Sequence, residues 1–353
     1  MKLLILGGTA WLGHQTAAAA LAKGHDVTCA ARGSSGEPPA GTTFLQVDRD
    51  ADDGLAAAAQ EHWDAVIDVS RQPGQVRRSV RDLRTAADFY VFVSTGNVYA
   101  SQREFGQDED APLLAPLAAD VMDSMESYGP AKVACEQAVA AGFGDGSHAI
   151  VRAGLIGGPG DTSGRSGYWP LRFAQGGPVL VPDVPHQPTQ LIDVRDLAQW
   201  LVLVAEQRTA GVFNAVGKTL PFSEHLAEAA AAAGAMEPGA RNSRVADTAL
   251  PLISAPAPPQ WLSEQGVNEW SGPRSLPLWL EDPDWHGMNA RSNARAHSAG
   301  LRLRPLRQTL KDTLAWEEAA GVGRPRGAGL TLAEEHDLLA RLADTDSLLP
   351  DGT

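Results

Sequence analysis

The chain has 353 residues, 43% hydrophobic and 20% charged, the profile of an ordinary globular protein too long for one small core. Its 29 Lys and Arg against 43 Asp and Glu leave a formal charge of −14, a surface that repels phosphate backbones and argues against nucleic acid as a partner. Apolar runs such as Leu197–Ala205 are about half of what spans a bilayer, and no cleavable leader pattern opens the chain. Neither Cys29 nor Cys135 lies in a disulfide or zinc-ligand pattern, so the expectation is a cytoplasmic protein with no metal, its cysteines acting as small buried apolar groups.

Along the chain, short apolar runs alternate with alanine-rich helical stretches. Leu3–Leu6 reads as a strand, Trp11–Lys23 as a helix stopped at Gly24, and Val27–Ala31 and Thr43–Val47 as strands. A helix follows at Leu55–His62, a strand at Ala65–Val69, a helix at Gln75–Ala87 and a strand at Tyr90–Ser94. Pro130–Ala141 is a helix and Ala149–Ala153 a strand. Strands separated by helices of this length predict right-handed crossovers and a doubly wound parallel α/β sheet covered on both faces.

Beyond Gly154 the texture changes. Gly157–Gly177 reads as loops around a short helix at Trp169–Ala174, Gln190–Ala205 as a strand-to-helix step, and Phe213–Val216 as a further strand. Ser223–Ala233 is helical, Pro251–Pro259 is a proline-rich connection, and Trp261, Trp270, Trp279 and Trp285 follow within a short span. Helices are expected at Ser292–Gly300 and Leu306–Ala319. In the loose tail, Thr331 and Glu334 form a capping box ahead of Leu338, Leu339 and Leu342.

The first strand runs into Gly7-Gly8-Thr9-Ala10-Trp11-Leu12-Gly13 directly before a helix. A strand, a glycine turn and a helix N-terminus point backbone N–H groups and the helix dipole at a pyrophosphate. Gly7 allows the tight turn and Gly13 lets helix and strand pack closely, while Ala10 replaces the usual middle glycine. At the end of the second strand, Ala31-Arg32-Gly33-Ser34-Ser35 carries no carboxylate for ribose hydroxyls. A guanidinium and two hydroxyls suit a 2′-phosphate, which favours NADP over NAD as cofactor, although Arg32 stacked on adenine or facing solvent fits the same sequence. Asp48-Arg49 lies where an adenine amino group is met, or makes a plain turn.

Thr95 follows the fifth strand, and Tyr128-Gly129-Pro130-Ala131-Lys132 opens the next helix with Tyr and Lys one turn apart on one face. A phenol is a poor acid–base group at neutral pH unless a neighbouring ammonium helps it, so this pairing points to proton transfer, with Thr95 binding the reacting oxygen. Glu136, four residues past Lys132, is expected to support the lysine by an ion pair.

In this order the motifs resemble the extended short-chain dehydrogenase/reductase superfamily, the NAD-dependent epimerase/dehydratase kind, in the branch opening Gly-Gly-Thr-x-x-x-Gly, where Ala10 is ordinary. The resemblance covers Met1–Gly217 well and implies a Rossmann sheet with a smaller C-terminal substrate-binding domain. The expected division is 1–160 with 187–218, then 161–186 with 219–320, then a tail of 321–353 with a short helix. It implies Thr95, Tyr128 and Lys132 as the catalytic set. Gly7, Thr9, Ala10, Trp11, Leu12, Gly13, Arg32, Ser34, Asp48, Arg49, Ser70, Ser94, Ala153 and Leu155 join Tyr128 and Lys132 around the cofactor. Arg152–Gly160 resembles the family's Arg-Pro-x-x-x-x-Gly-Pro segment with Ala153 at the proline, and Ile192–Ala198 its segment near the domain junction.

The implied activity is NAD(P)-dependent hydride transfer to or from a carbonyl or carbinol of a sugar-like or other small metabolite, as a reductase or an epimerase. Gly96-Asn97 offers no carboxylate beside Thr95, which argues against dehydration. The alternative is a nucleotide sensor, scaffold or RNA-associated protein of the same fold without turnover; the intact catalytic set and the net charge weigh against it. The expected partner is a small-molecule substrate, with a homodimer left open. Tyr168, Trp169, Arg172, Gln190 and the tryptophan-rich stretch either line its pocket or fill the core of the second domain, and His186 reads as a loop residue.

Overall fold

Branched and small apolar residues in runs too short for helices fill both faces of a central sheet. The computed structural model of the chain describes residues 1–235 and 254–348, so the first residues of the proline-rich connection, 251–253, lie outside it. Strands β1 (Lys2–Leu6), β2 (Asp26–Ala31), β3 (Thr43–Gln46), β4 (Ala65–Asp68), β5 (Tyr90–Thr95), β6 (His148–Ala153) and β10 (Gly211–Ala215) form a parallel sheet in the order β10–β6–β5–β4–β1–β2–β3. The winding reverses between β1 and β4, so the carboxyl ends of these strands open a crevice, the site where such sheets bind ligands.

Helices α1 (Trp11–Ala22) and α5 (Val194–Gln207) cover one face, where Leu3, Ile5, Ile67, Val91 and Val151 pack with Ala17, Ala20, Leu197 and Leu201. Helices α2 (Pro73–Leu83) and α3 (Tyr128–Phe143) cover the other, over Leu4, Leu6, Val66, Tyr90 and Phe92. The expected helix at Leu55–His62 is instead a set of turns with a 3₁₀ piece at Ala58–Gln60. The Ala58 carbonyl closes the 3₁₀ turn by accepting the Glu61 N–H at 3.3 Å and also accepts the Trp63 indole N–H at 2.8 Å. Both thiols are buried, and burial pushes Cys29 up to about 11 and Cys135 to about 12, so neither is a thiolate at neutral pH.

The chain divides into two compact units. The first is Met1–Ile156, Ile192–Lys218 and Ala290–Leu303; the second is Gly157–Leu191, Thr219–Asn289 and Arg304–Thr353. The segment Ala290–Leu303, expected in the substrate-binding part, thus clusters with the sheet; it carries α8 (Ala294–Ser298) and buries Ala296 and Leu301 in its core.

In the second unit, α4 (Tyr168–Ala174) crosses α6 (Phe222–Ala232), with the Trp169 ring 5.7 Å from Phe222 in an edge-on pair and its indole N–H on the Pro277 carbonyl at 2.9 Å. Two strands unforeseen in the sequence, β8 (Val179–Pro182) and β12 (Ser254–Ala257), pair in parallel, while β9 (Pro188–Asp193) meets β11 (Thr219–Pro221) antiparallel. Short strands β13 (Asn268–Trp270), β14 (Gly272–Pro273), β15 (Ser275–Pro277) and β16 (Ala328–Gly329), with helices α7 (Pro259–Glu264), α9 (Leu306–Ala320) and α10 (Leu332–Leu348), complete it; β7 (Leu155–Gly157) carries the chain out of the first unit. The capping box forms as expected, Thr331 Oγ1 accepting from the Glu334 N–H at 3.2 Å and Glu334 Oε2 from the Thr331 N–H at 2.8 Å. From α10, Glu335 is fully buried against Arg172 and accepts the Leu180 N–H at 2.9 Å.

His225 on α6 is buried with Nε2 unpartnered, and burial lowers its pKa to about 4. Since the folded value lies below the ordinary one, this contribution to stability is complete above pH 6.5 and is lost as pH falls towards 4. Between pH 7.5 and pH 5 the loss expected from this one group is about 2 kcal/mol. Urea denaturation at the two pH values should show that difference in the wild type and a much smaller one in His225→Gln.

Candidate functional site

The turn after β1 is built by glycine. Gly7 has φ +91°, and the Ala10 N–H closes the turn on the Gly7 carbonyl at 3.1 Å. An added Cβ on Gly13 would stand 2.2 Å from that same carbonyl oxygen, so α1 packs as closely on the turn as its backbone allows. Helix α1 starts with no side-chain cap and no acid in its first turn, which leaves its first N–H groups facing outward for an anion. Beside it lies an open cavity of about 110 Å³ lined by the predicted Gly7, Thr9, Ala10, Arg32, Ser34 and Arg49, and also by Gly33, Ser35 and Gln75. Trp11 is half-buried, and Leu12 packs against the sheet core. Asp48 is exposed and accepts the Asp50 N–H at 3.0 Å, the plain-turn reading, while Arg49 Nη1 donates to Asp68 at 3.1 Å.

At the other end of the crevice, Thr95 ends β5 and its Oγ1 accepts the Asn97 N–H at 3.3 Å, capping a 3₁₀ turn at Gly96–Val98. Tyr128 is the first residue of α3 and half-exposed. One turn on, Lys132 is 3% exposed, and its Nζ donates to the Ser70 carbonyl at 2.6 Å and the Val93 carbonyl at 2.5 Å, 4.5 Å above the Phe92 ring. An ammonium has three donors, so one remains for a ligand. Ser70 therefore holds the lysine through its backbone, and its hydroxyl donates to Asp68. Asp68, fully buried at the end of β4, also accepts the Ser70 N–H at 2.9 Å and the Tyr90 hydroxyl at 2.7 Å, and with Arg49 these donors explain an acid inside an apolar strand. Ala153 ends β6 buried, and Leu155 lies half-buried on β7.

The expected Lys132–Glu136 pair is not made. Glu136 accepts from Arg152 Nη2 at 2.8 Å and Nε at 3.1 Å, and Ser94 Oγ donates to it. A guanidinium fork matches a buried carboxylate on two bonds where an ammonium gives one, and Lys132 finds its acceptors in strand-end carbonyls instead. Arg152 Nη1 also donates to the Tyr99 hydroxyl at 3.2 Å, and that hydroxyl donates to Asn214 at 2.6 Å.

A residue without sequence signal completes this end. Arg291, 4% exposed, lies 5.2 Å over the Tyr99 ring and donates to the Gly96 carbonyl at 2.9 Å and to the Gln102 amide oxygen. A Cβ on Gly96 would fall 2.1 Å from its Nη1, so a guanidinium fills the space where residue 96 would carry a side chain. Gly96→Ala should therefore destabilise the protein by about 1–3 kcal/mol through overpacking. Chemical denaturation of Gly96→Ala, Arg291→Ala and the double variant should show the two losses failing to add, with the double variant losing less than their total.

In the second unit, Tyr168, Trp169 and Arg172 are buried in the core, Arg172 held by Glu335 and by the Gly176 carbonyl at 2.8 Å, and Trp279 is buried too. Gln190 donates to Thr219 Oγ1 at 3.1 Å, and His186 is exposed. Tyr168, Trp169 and Trp279 fill the core, Trp261 and Trp270 are half-buried, and Trp285 is exposed. No helix among the described residues is long and apolar enough to cross a membrane.

Residues 3–216 match the model of the NAD dependent epimerase/dehydratase family. No curated protein matches the chain. Solved structures similar to it include a putative epimerase from Burkholderia cenocepacia, at 20% identity and TM-score 0.62, covering 90% of this chain and 98% of that one. Another is the UDP-glucose 4-epimerase of Thermus thermophilus with NAD, at 18% identity and TM-score 0.59 over 91% and 100% of the two chains. WbmH of Bordetella bronchiseptica with NAD+ is a third, at 17% identity and TM-score 0.61 over 91% and 99%. With the glycine turn, the seven-stranded sheet and the family match over most of its length, this chain belongs to the NAD-dependent epimerase/dehydratase family and is an NAD-dependent enzyme of the short-chain dehydrogenase type.

Proposed function

We propose that the protein moves hydride to or from a carbinol or carbonyl carbon of a sugar-like or other small metabolite, as a reductase or an epimerase, with Tyr128 exchanging the oxygen's proton. The observation that carries this reading is the buried Lys132 ammonium, clamped on the Ser70 and Val93 carbonyls one helical turn from the half-exposed Tyr128 phenol. The glycine turn, the uncapped start of α1 and the cavity beside it fit a dinucleotide, with Gly7, Thr9, Ala10 and Arg32 as holding residues. When bound, its nicotinamide supplies or accepts the hydride.

The chain's own part is to hold and move a proton. Lys132 keeps a positive charge fixed beside the phenol and has one donor to spare for a ribose hydroxyl. Thr95, capping its turn with Oγ1 as acceptor, can turn its O–H to the substrate oxygen and fix that oxygen near Tyr128. Gly96 and Asn97 bring no carboxylate, and Arg291 takes the space at 96, so the second acid–base pair of a dehydratase has no seat here. On the nucleotide, the reading is a preference for NADP(H): no carboxylate ends β2, and Arg32 and Ser34 line the cavity.

The purified protein should bind NADPH more tightly than NADH, followed by nicotinamide fluorescence, and Arg32→Ala should weaken NADPH alone. Equal binding of both nucleotides before and after that change rejects the 2′-phosphate. Tyr128→Phe should abolish turnover of any carbonyl substrate while binding nucleotide as before; retained turnover removes Tyr128 from its role. A nucleotide that stays bound through isolation marks an epimerase, and one that exchanges freely marks a reductase.

A further inference from the structure

The two arginines of the adenosine cavity differ in freedom. Arg49 is committed, since Asp68 is fully buried and Arg49 is its cation, 3.1 Å away; drawing that guanidinium off would leave a carboxylate uncompensated inside the sheet. Arg32 has a side chain 62% exposed, and the carboxylate that faces it, Asp50, is 3.9 Å away (Nη1 to Oδ2), outside hydrogen-bond range. Asp50 itself is anchored. Its Oδ1 accepts from Gln75 Nε2 at 2.8 Å and lies 3.7 Å from Arg78 Nη2, and its N–H donates to Asp48. A fixed carboxylate thus holds a loosely paired guanidinium at the mouth of the cavity that Arg32, Ser34 and Gln75 line.

We propose that Asp50 is a specificity-determining residue that competes with a nucleotide 2′-phosphate for Arg32, and so sets the ratio of NADP(H) to NAD(H) binding; this rests on the 2′-phosphate reading given above. A phosphate takes a guanidinium on two short charge-assisted bonds and carries more charge than a carboxylate, so it wins Arg32, but only after the Asp50 pair is given up. A nucleotide with a bare 2′-hydroxyl makes no such demand. The penalty from Asp50 therefore falls on the phosphorylated nucleotide alone, and it is a surface effect that salt screens.

The test is a set of NADPH and NADH titrations, read by nicotinamide fluorescence, on the wild type, Asp50→Asn, Arg32→Ala and the double variant. Asp50→Asn keeps the side-chain shape and a Gln75 contact; it should tighten NADPH about 3- to 10-fold at low salt and leave NADH within about twofold. Most of that gain should vanish in the Arg32→Ala background and in high salt. Asp50→Ala, with an unchanged melting temperature, should act in the same direction. Unchanged or weaker NADPH binding in Asp50→Asn, while Arg32→Ala still weakens NADPH, overturns the competition and leaves the 2′-phosphate reading standing. A gain that persists undiminished without Arg32 also overturns it, assigning the effect to charge in general. If Arg32→Ala leaves NADPH binding unaltered, the 2′-phosphate reading itself fails.

Discussion

A lysine ammonium, that of Lys132, buried at 3% exposure is the constraint around which the start of α3 and its neighbouring strands are arranged. Taking that charge out of water is several kcal/mol unfavourable unless acceptors replace the solvent, and each charge-assisted bond returns about 1.5–3 kcal/mol. The acceptors are the carbonyls of Ser70 and Val93, at the ends of neighbouring parallel strands β4 and β5. Those carbonyls are available because the pairing of β4 with β5 ends at Asp68 and Phe92, just before Ser70 and Val93. The lysine thus ties α3, whose first residue is Tyr128, to the backbone beyond β4 and within β5, and the helix cannot shift without stranding a charge.

The same economy of buried charge runs through the rest of the first unit. Asp68 answers Arg49, Ser70 and Tyr90, and Glu136 answers Arg152 and Ser94. Each of these two acids has a guanidinium partner and hydroxyl donors, the condition under which such groups are tolerated in a core. Lys132 is left with carbonyls alone, so its positive charge is not neutralised by a carboxylate in direct contact.

The local parts of this architecture were legible in the sequence. Apolar runs of four to six residues separated by alanine-rich helices can bury both faces only as a doubly wound sheet, and Gly7 and Gly13 at their spacing need no tertiary knowledge to be read. The Glu136 partner was not legible, because a helix spacing of four is compatible with Lys132 and says nothing of Arg152 on β6. The helix expected at Leu55–His62 forms only as turns and a 3₁₀ piece whose Ala58 carbonyl also holds the Trp63 indole, a contact set by how Trp63 enters the core. Strand β8 was hidden because Val179-Leu180-Val181 lies between prolines and reads as loop. In each case the deciding partner sits on another element.

Arg291 is the extreme of that rule, and it bears on how the site comes to exist. It reaches Gly96 across 195 positions of sequence, after the chain has left the sheet, built most of the second unit and come back. The returning stretch Ala290–Leu303 brings Ala296 and Leu301 into the sheet's core, Asn293 to the Val216 carbonyl at 3.0 Å, and the Ser292 N–H to the Gln107 carbonyl at 3.0 Å. The turn that carries Thr95 is therefore backed by residues that are synthesised long after it. Contacts of such long separation close late because the entropy of the intervening loop must be overcome first. The nucleotide end, made of β1, α1 and β2, is local by comparison and can form from its own residues. The turn after β1 is held by its own neighbours in sequence, whereas the turn that carries Thr95 depends on a residue 195 positions beyond Gly96.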